Sequence, residues 1–247
     1  MVDTMEERKN DAVEYILKIG NKIRFDVFRG ERRGFPEVVY FEGKSVEECA
    51  EIIKKVVDTG EKIIISRIGE DDYIAVKSKV RGIESRYSRE GRIASFYSKP
   101  YGYVLHGVVA VVSAGTSDVP YCEEAAFVCE EMGCKVLRIY DVGVAAIHRP
   151  VDAAAEIKKK NADVAIISAG MDGVLPTIMA SMLDIPVIGL PTPVGYGVAK
   201  NGIVALQTML SSCVPGVAVV NVGNGVGAGA LACLIVKRIN DRVASAK

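Results

Sequence analysis

From residue 104 to the C-terminus, apolar runs of strand length alternate with stretches whose apolar residues recur at helical spacing. This pattern predicts strands over 104–113, 135–141, 163–168, 186–190 and 216–222, separated by helices over 119–132, 151–160, 175–183, 199–210 and 225–243. Strands that are apolar on both faces and separated by helices fit a parallel sheet covered by helices on both sides. Residues 1–100 read differently, because most of the charge lies there. Val13, Ile16, Leu17 and Ile19 fall on one side of an early amphipathic helix. Residues 41–57 give a short strand, a Ser45 cap with Glu48 completing a capping box, and a helix, and a further strand follows over 62–66. Turn residues at 98–102 mark a boundary. The expected organisation is a smaller α+β domain over 1–100 and an α/β domain over 101–247, with a parallel sheet and helices on both faces.

Ligands of such sheets bind beyond the carboxyl ends of the strands. The loops that fall there are 114–118 (AGTSD), 141–149, 169–173 (AGMDG), 191–197 and 221–229 (NVGNGVGAG), and their glycine content suits close approach of backbone to a ligand. In the first of them Ala114 and Gly115 are small, Thr116 and Ser117 carry hydroxyls, and Asp118 is a good N-cap ahead of Val119 and Pro120. Amides at the start of the following helix would then face an anion. Taken alone, the pentapeptide reads equally well as an ordinary capped turn. It lacks the dinucleotide pattern GxGxxG, and the phosphate loop GxxxxGK(S/T) is absent from the chain. Arg149 offers a bidentate fork for a phosphate or carboxylate, His148 could orient or protonate a ligand group, and Asp141 could orient backbone.

Composition narrows the functional classes. Lys plus Arg and Asp plus Glu both number 31, so the formal net charge is zero, which argues against binding nucleic acid or membranes through bulk charge. The six cysteines include no CxxC pair and there are two histidines, so a structural zinc site is not expected and free thiols in a reducing compartment are. The first 22 residues are charged and lack the apolar core of a signal peptide, and no apolar run reaches membrane-spanning length. A cytoplasmic protein is expected. The basic, glycine-punctuated segment 28–37 reads either as a solvated turn or as an arm that touches an anionic ligand or a neighbouring subunit. By residue type alone a cysteine such as Cys213 is more often a small buried hydrophobe, although its place in a loop before Pro215 and Gly216 sets it apart from the rest.

The strings AGTSD at 114–118, DVGVAAIHR at 141–149, AGMDGVLP at 169–176, PVIGLPTPVGYG at 186–197 and SCVPGVAVVNVGNGVGAG at 212–229 occur in one order. So placed, they resemble the C-terminal domain of the LarB family of nickel-pincer cofactor biosynthesis proteins, a domain that itself looks like the PurE carboxylases and mutases. RGFPEVVYFEGKS at 33–45 resembles the LarB N-terminal region, which PurE enzymes lack. The resemblance implies a flavodoxin-like three-layer domain. It also implies carboxylation of the pyridinium ring of nicotinic acid adenine dinucleotide at C5, with hydrolysis of its phosphoanhydride and release of AMP. Carbon dioxide or bicarbonate is the co-substrate and no organic cofactor is needed. Mg2+ could enter through the substrate phosphates, but no carboxylate cluster identifies protein ligands for it.

On this resemblance Cys213 is the nucleophile and Asp172 the base. Ala114, Gly115, Thr116, Ser117 and Arg149 hold the phosphoribosyl part, Asp118 the ribose hydroxyls, and Asp141, His148, Gly170 and Met171 complete the substrate site. The N-terminal basic segment would reach the adenylate or pyrophosphate portion. Cys213 precedes a strand and should lie at the amino edge, opposite the other loops, so either its loop folds back or the thiol serves a neighbouring subunit. A homo-oligomer, an octamer by resemblance, is therefore expected, and the apolar, glycine-rich terminal helix suits packing against a partner. Two alternatives stay open. One is an aminoimidazole ribonucleotide (AIR) carboxylase or N5-carboxyaminoimidazole ribonucleotide mutase of purine synthesis. The other is a non-catalytic nucleotide sensor, favoured by the loss of an acid and an aromatic ring from the loop after the last strand.

Overall fold

Ile16–Ile19 (β1) and Ile23–Asp26 (β2) pair antiparallel, with Ile16 opposite Asp26 and Ile19 opposite Ile23. Part of the segment expected as an amphipathic helix is thus a strand. Its β-branched isoleucines lose less rotamer freedom on a pleated surface, and four residues are too few to distinguish a helical period. The computed structural model describes residues 16–19, 23–26, 29–98 and 105–245, so Val13 and Phe28 lie outside the described residues. Arg29–Arg33 (α1) is a short helix where a loop was expected. Arginine and glutamate are good helix formers, and the turn ends at Gly34, whose φ is +67°, with Pro36 two residues on.

Val38–Tyr40 (β3) runs parallel to Ile63–Ser66 (β4), and the crossover is the helix Val46–Asp58 (α2). The capping box forms as expected: the Glu48 amide donates to Ser45 Oγ at 3.1 Å, and the Ser45 amide donates to Glu48 Oε2 at 3.0 Å. Glu70–Lys79 (α3), Glu84–Ser88 (β5) and Ile93–Tyr97 (β6) complete a mixed sheet of order β3-β4-β6-β5. Ile52, Ile53 and Val56 of α2 pack with Ile63, Ile65 and Phe96 in its core.

Val108–Ser113 (β7), Lys135–Ile139 (β8), Val164–Ala169 (β9), Val187–Pro191 (β10) and Val217–Val219 (β11) form a wholly parallel sheet of order β8-β7-β9-β10-β11. Counted within this sheet the order is 2-1-3-4-5, the flavodoxin-like arrangement, and its direction of winding reverses between β7 and β9. Val119–Glu131 (α4) and Gly225–Ser245 (α8) cover one face. His148–Lys159 (α5), Leu175–Ala180 (α6) and Ile203–Leu210 (α7) cover the other. Ala110, Val112, Ala165 and Ile167 meet Ile157, Leu175, Met179 and Met209 in that second layer. Each fully buried Val, Leu, Ile or Met side chain among them contributes about 1.5–3 kcal/mol.

Several boundaries differ from the sequence pattern. The first strand begins at Val108, while Leu105–Gly107 lie outside it and residue 104 falls outside the described residues. The last strand is three residues long, α6 stops at Ala180, and α5 starts at His148, so His148 and Arg149 form its first turn. Pro150 fits there because a proline in the first turn sacrifices no intrahelical bond. The helix expected over 199–210 is broken. A 3-10 turn over Gly197–Gly202 precedes α7, and the left-handed Asn201 (φ 68°) and Gly202 (φ 75°) separate the two. The small residues of α8 pack within the chain. Ala228, Gly229 and Ala232 are buried, and a Cβ on Gly229 would meet Val128 of α4 at 2.8 Å, so this face is used within the chain. Two compact units result: Met1–Tyr87 with Ile93–Tyr101, and Ser88–Arg92 with Gly102–Lys247. Among the described residues no helix is long and apolar enough to cross a membrane.

Candidate active site

The winding reversal leaves the loops after β7 and β9 side by side, and the Ala114 amide donates to the Ser168 carbonyl at 3.0 Å. Asp118 lies between them with 4% of its surface exposed. It does not act as the expected N-cap. A 3-10 turn over Thr116–Asp118 has already drawn it into helical conformation (φ −85°, ψ −15°), and its side chain makes no capping bond to α4. The carboxylate turns back instead. Oδ2 accepts the Gly115 amide at 2.9 Å, and Oδ1 accepts a short hydrogen bond from the Thr192 hydroxyl. Burial pushes the Asp118 carboxyl above the usual carboxylate range, and the hydrogen bonds from Thr192 and Gly115 pull the other way. One acid thereby ties together the loops after β7 and β10.

These loops close tightly. The Met171 amide donates to the Val194 carbonyl at 2.8 Å, and a Cβ on Gly170 would lie 2.2 Å from that same oxygen. Glycine is therefore required at 170. Asp141, at φ 60°, donates its amide to Ser113 Oγ at 3.1 Å. Arg149 Nη1 reaches the Asp141 carbonyl at 3.1 Å and its Oδ2 at 3.3 Å. Both side chains are exposed, so this pair is weak and leaves the guanidinium available to an anion. Thr116, Ser117, His148, Met171 and Asp172 are exposed, whereas Ala114 and Gly115 are half-buried and Gly170 is buried. The Val174 amide donates to Asp172 Oδ1 at 3.4 Å, the contact of a turn-forming aspartate.

Cys213 is the exposed cysteine; Cys49, Cys122, Cys129, Cys134 and Cys233 are buried. It lies before β11, at the other edge of the sheet. Val187, at the amino end of β10, donates to the Gly216 carbonyl, whereas Asp172 follows Ala169, which pairs with Pro191 at the carboxyl end of β10. The four residue steps of β10 between these ends span about 13 Å. Ser212, next to Cys213, accepts from Thr177 of α6 at 3.0 Å. The sequence-derived binding residues are thus brought together at the carboxyl edge, and Cys213 is not brought to them within one chain.

Sequence reasoning missed Thr192, Ser113 and Glu124. All three are buried polar groups in apolar surroundings, and Glu124 Oε2 accepts the Gly225 amide that opens α8 at 3.1 Å. The available signal was a polar residue at the end of an apolar strand run, as in Ser113 and Thr192. Among the described residues no group of three or more His, Cys, Asp or Glu could hold a metal ion.

A parallel sheet with knitted, glycine-rich loops at its winding reversal is of the α/β class, whose ligands bind beyond the carboxyl ends of the strands. Residues 108–246 match the AIR carboxylase family, and residues 18–98 match the LarB/PurE-like N-terminal domain. The chain belongs to the AIR carboxylase family, in the LarB arrangement of a LarB/PurE-like N-terminal domain followed by the carboxylase-like domain. It is 37% identical over 235 residues to an uncharacterized protein of Methanocaldococcus jannaschii, covering 94% of this chain and 91% of that one. It is 34% identical over 134 residues to the N5-carboxyaminoimidazole ribonucleotide mutase of Pyrococcus horikoshii (52% of this chain, 71% of the relative). The mutase of the same name from Thermotoga maritima is 31% identical over 134 residues (51% and 73%).

Proposed function

We propose that this protein carboxylates the pyridinium ring of nicotinic acid adenine dinucleotide at C5 and hydrolyses the phosphoanhydride, releasing AMP and pyridinium-3,5-biscarboxylic acid mononucleotide. The observation that carries this reading is the exposed thiol of Cys213, in a loop of LarB type, when the other five cysteines are buried. A pyridinium ring is electron-poor, so its C5 cannot attack carbon dioxide. Addition of the Cys213 thiolate at C6 gives an enamine whose C5 is nucleophilic. C5 then bonds to carbon dioxide, a base takes the C5 proton, and the thiolate leaves with the electron pair of the C–S bond, restoring the ring. Asp172 is the candidate base. Arg149 and the 114–117 loop hold the phosphoribosyl group, Asp118 the ribose hydroxyls, and Asp141, His148, Gly170 and Met171 surround them.

Because Asp172 and Cys213 sit at opposite edges of one sheet, the reading assigns Cys213 to the crevice of a neighbouring copy. Support comes from large apolar side chains left open near both places: Tyr196 is 77% exposed and Val198 93%, and Leu210, three residues before Cys213, is 67% exposed. Incubation with nicotinic acid adenine dinucleotide and bicarbonate, followed by mass spectrometry, tests the reading. The expected result is a carboxylated mononucleotide with AMP, absent for Cys213→Ala. A second reading is favoured by the named mutases among the relatives, namely aminoimidazole ribonucleotide carboxylation or carboxylate migration. It needs no thiol, so turnover of an aminoimidazole ribonucleotide that survives Cys213→Ala would replace the first reading. Binding of either nucleotide without turnover would mark a sensor.

A further inference from the structure

Thr192 is fully buried at the end of β10, and its position is fixed before any ligand arrives, because its amide continues the ladder to the Ala169 carbonyl at 3.0 Å. A valine would fill the same space without a hydroxyl to satisfy, so the threonine needs a reason. Its hydroxyl donates to Asp118 Oδ1, while Oδ2 takes the Gly115 amide. A carboxylate offers about four acceptor sites, so these two donors leave capacity for a ligand hydroxyl. We infer that Thr192 is a positioning residue, which fixes the Asp118 carboxylate as the acceptor for a ribose hydroxyl of the bound nucleotide. This rests on the reading of the crevice as a ribose-phosphate site.

The same bond governs the charge of Asp118. Burial favours the neutral acid, and the Thr192 hydroxyl is the largest of the hydrogen bonds that favour the carboxylate. The groups that face Asp118 are this hydroxyl, the Gly115 and Gly170 amides and, from α4, the Cys122 thiol. Cys122 is pushed up to about 12, chiefly by burial, and stays neutral through the physiological range. Removing the Thr192 hydroxyl therefore shifts the ionisation of Asp118 toward higher pH.

The test compares wild type, Thr192→Val and Thr192→Ser as full-length protein. Asp118 is titrated by carboxyl-carbon NMR without ligand, and ribose 5-phosphate binding is measured by calorimetry across pH. In Thr192→Val the Asp118 titration should move to higher pH, and ribose 5-phosphate should bind about tenfold more weakly at mildly acidic pH. Thr192→Ser, which keeps the donor, should restore both to within about twofold. If Thr192→Val leaves the titration in place, the proposal is overturned even when binding weakens, because a merely structural role would account for that. Should Thr192→Val fail to fold, Thr192→Ser and Thr192→Cys decide it, the weak thiol donor having to shift the titration upward and the serine not. If wild type binds no ribose 5-phosphate, the nucleotide reading of the crevice fails and the acceptor role falls with it.

Discussion

The two edges of the parallel sheet are built in opposite ways. At the carboxyl edge, Asp118, Thr192 and Ser113 lock successive loops through buried and half-buried hydrogen bonds. At the amino edge, the loop that carries Cys213 is largely exposed, and it is tied down nearby by the Thr177 to Ser212 bond. Under the proposed reaction the contrast separates two tasks. A binding crevice gains from donors and acceptors fixed in advance, since ordering them at the moment of binding costs affinity. A thiol that attacks a ring bound to another copy must instead be presented outward.

The sharpest way to break this comparison is to remove the thiol. Cys213→Ala should lower pyridinium carboxylation at least about a thousandfold and leave ribose 5-phosphate binding within about twofold of wild type. A loss of binding as large as the loss of turnover would refute the division between edges. Mixing then asks whether the edges of different copies meet. Cys213→Ala and Asp172→Asn subunits, each inactive alone, should regain about a quarter of wild-type activity when dissociated and reassembled together. No recovery would mean that both groups act within one chain.

A smaller effect is expected where the crevice meets the phosphate. Arg149→Ala should raise KM about thirtyfold or more with little change in kcat, because the guanidinium fork contributes to binding in ground and transition states alike. Arg149→Lys should recover only part of this, since an ammonium lacks the fork. Acid should weaken ribose 5-phosphate binding at a pH above the usual carboxylate range, as Asp118 gains its proton. The stability linkage has the opposite sense. The folded-state carboxyl holds its proton more tightly than the unfolded one, so its contribution is greatest at low pH and is lost as pH rises through the folded-state value. Calorimetric unfolding and ligand titration across pH should therefore move in opposite directions for this one group.

The layer architecture was legible because strands buried on both faces read as continuous apolar runs. The AGTSD and AGMDG loops were legible because small residues cluster where backbone approaches backbone, as at Gly170. Other features depended on information that local patterning does not hold. Ile16–Ile19 carries four residues of ambiguous period, and only its pairing with Ile23–Asp26 decides for a strand. Asp118 looked like a cap because Asp before Val-Pro usually is one. What overrides that preference is Thr192, 74 residues away in sequence. The small-residue face of α8 suited any close partner, and α4 of the same chain takes it.

Backbone fit within the crevice gives a further, still smaller effect. Gly170→Ala places a methyl group against the Val194 carbonyl, so the β9 and β10 loops must part. Chemical denaturation should show a loss of about 2 kcal/mol, together with weaker ribose 5-phosphate binding. An alanine variant of normal stability and affinity would mean that the loops are less tightly knitted than the comparison between edges requires.

The smallest effect belongs to a site that serves neither edge. Ser45 and Glu48 close both bonds of a capping box at the start of α2, and the last turn of that helix carries Lys55, in keeping with its dipole. Ser45→Ala removes one acceptor and should cost about 1 kcal/mol in the unfolding of the N-terminal unit. Carboxylation and ribose 5-phosphate binding should stay at wild-type levels, because no group at the crevice or the Cys213 loop depends on that cap. If activity falls in proportion to the lost helix stability, the N-terminal unit takes part in the chemistry, and a division of labour between two edges of one sheet is too narrow an account of the site.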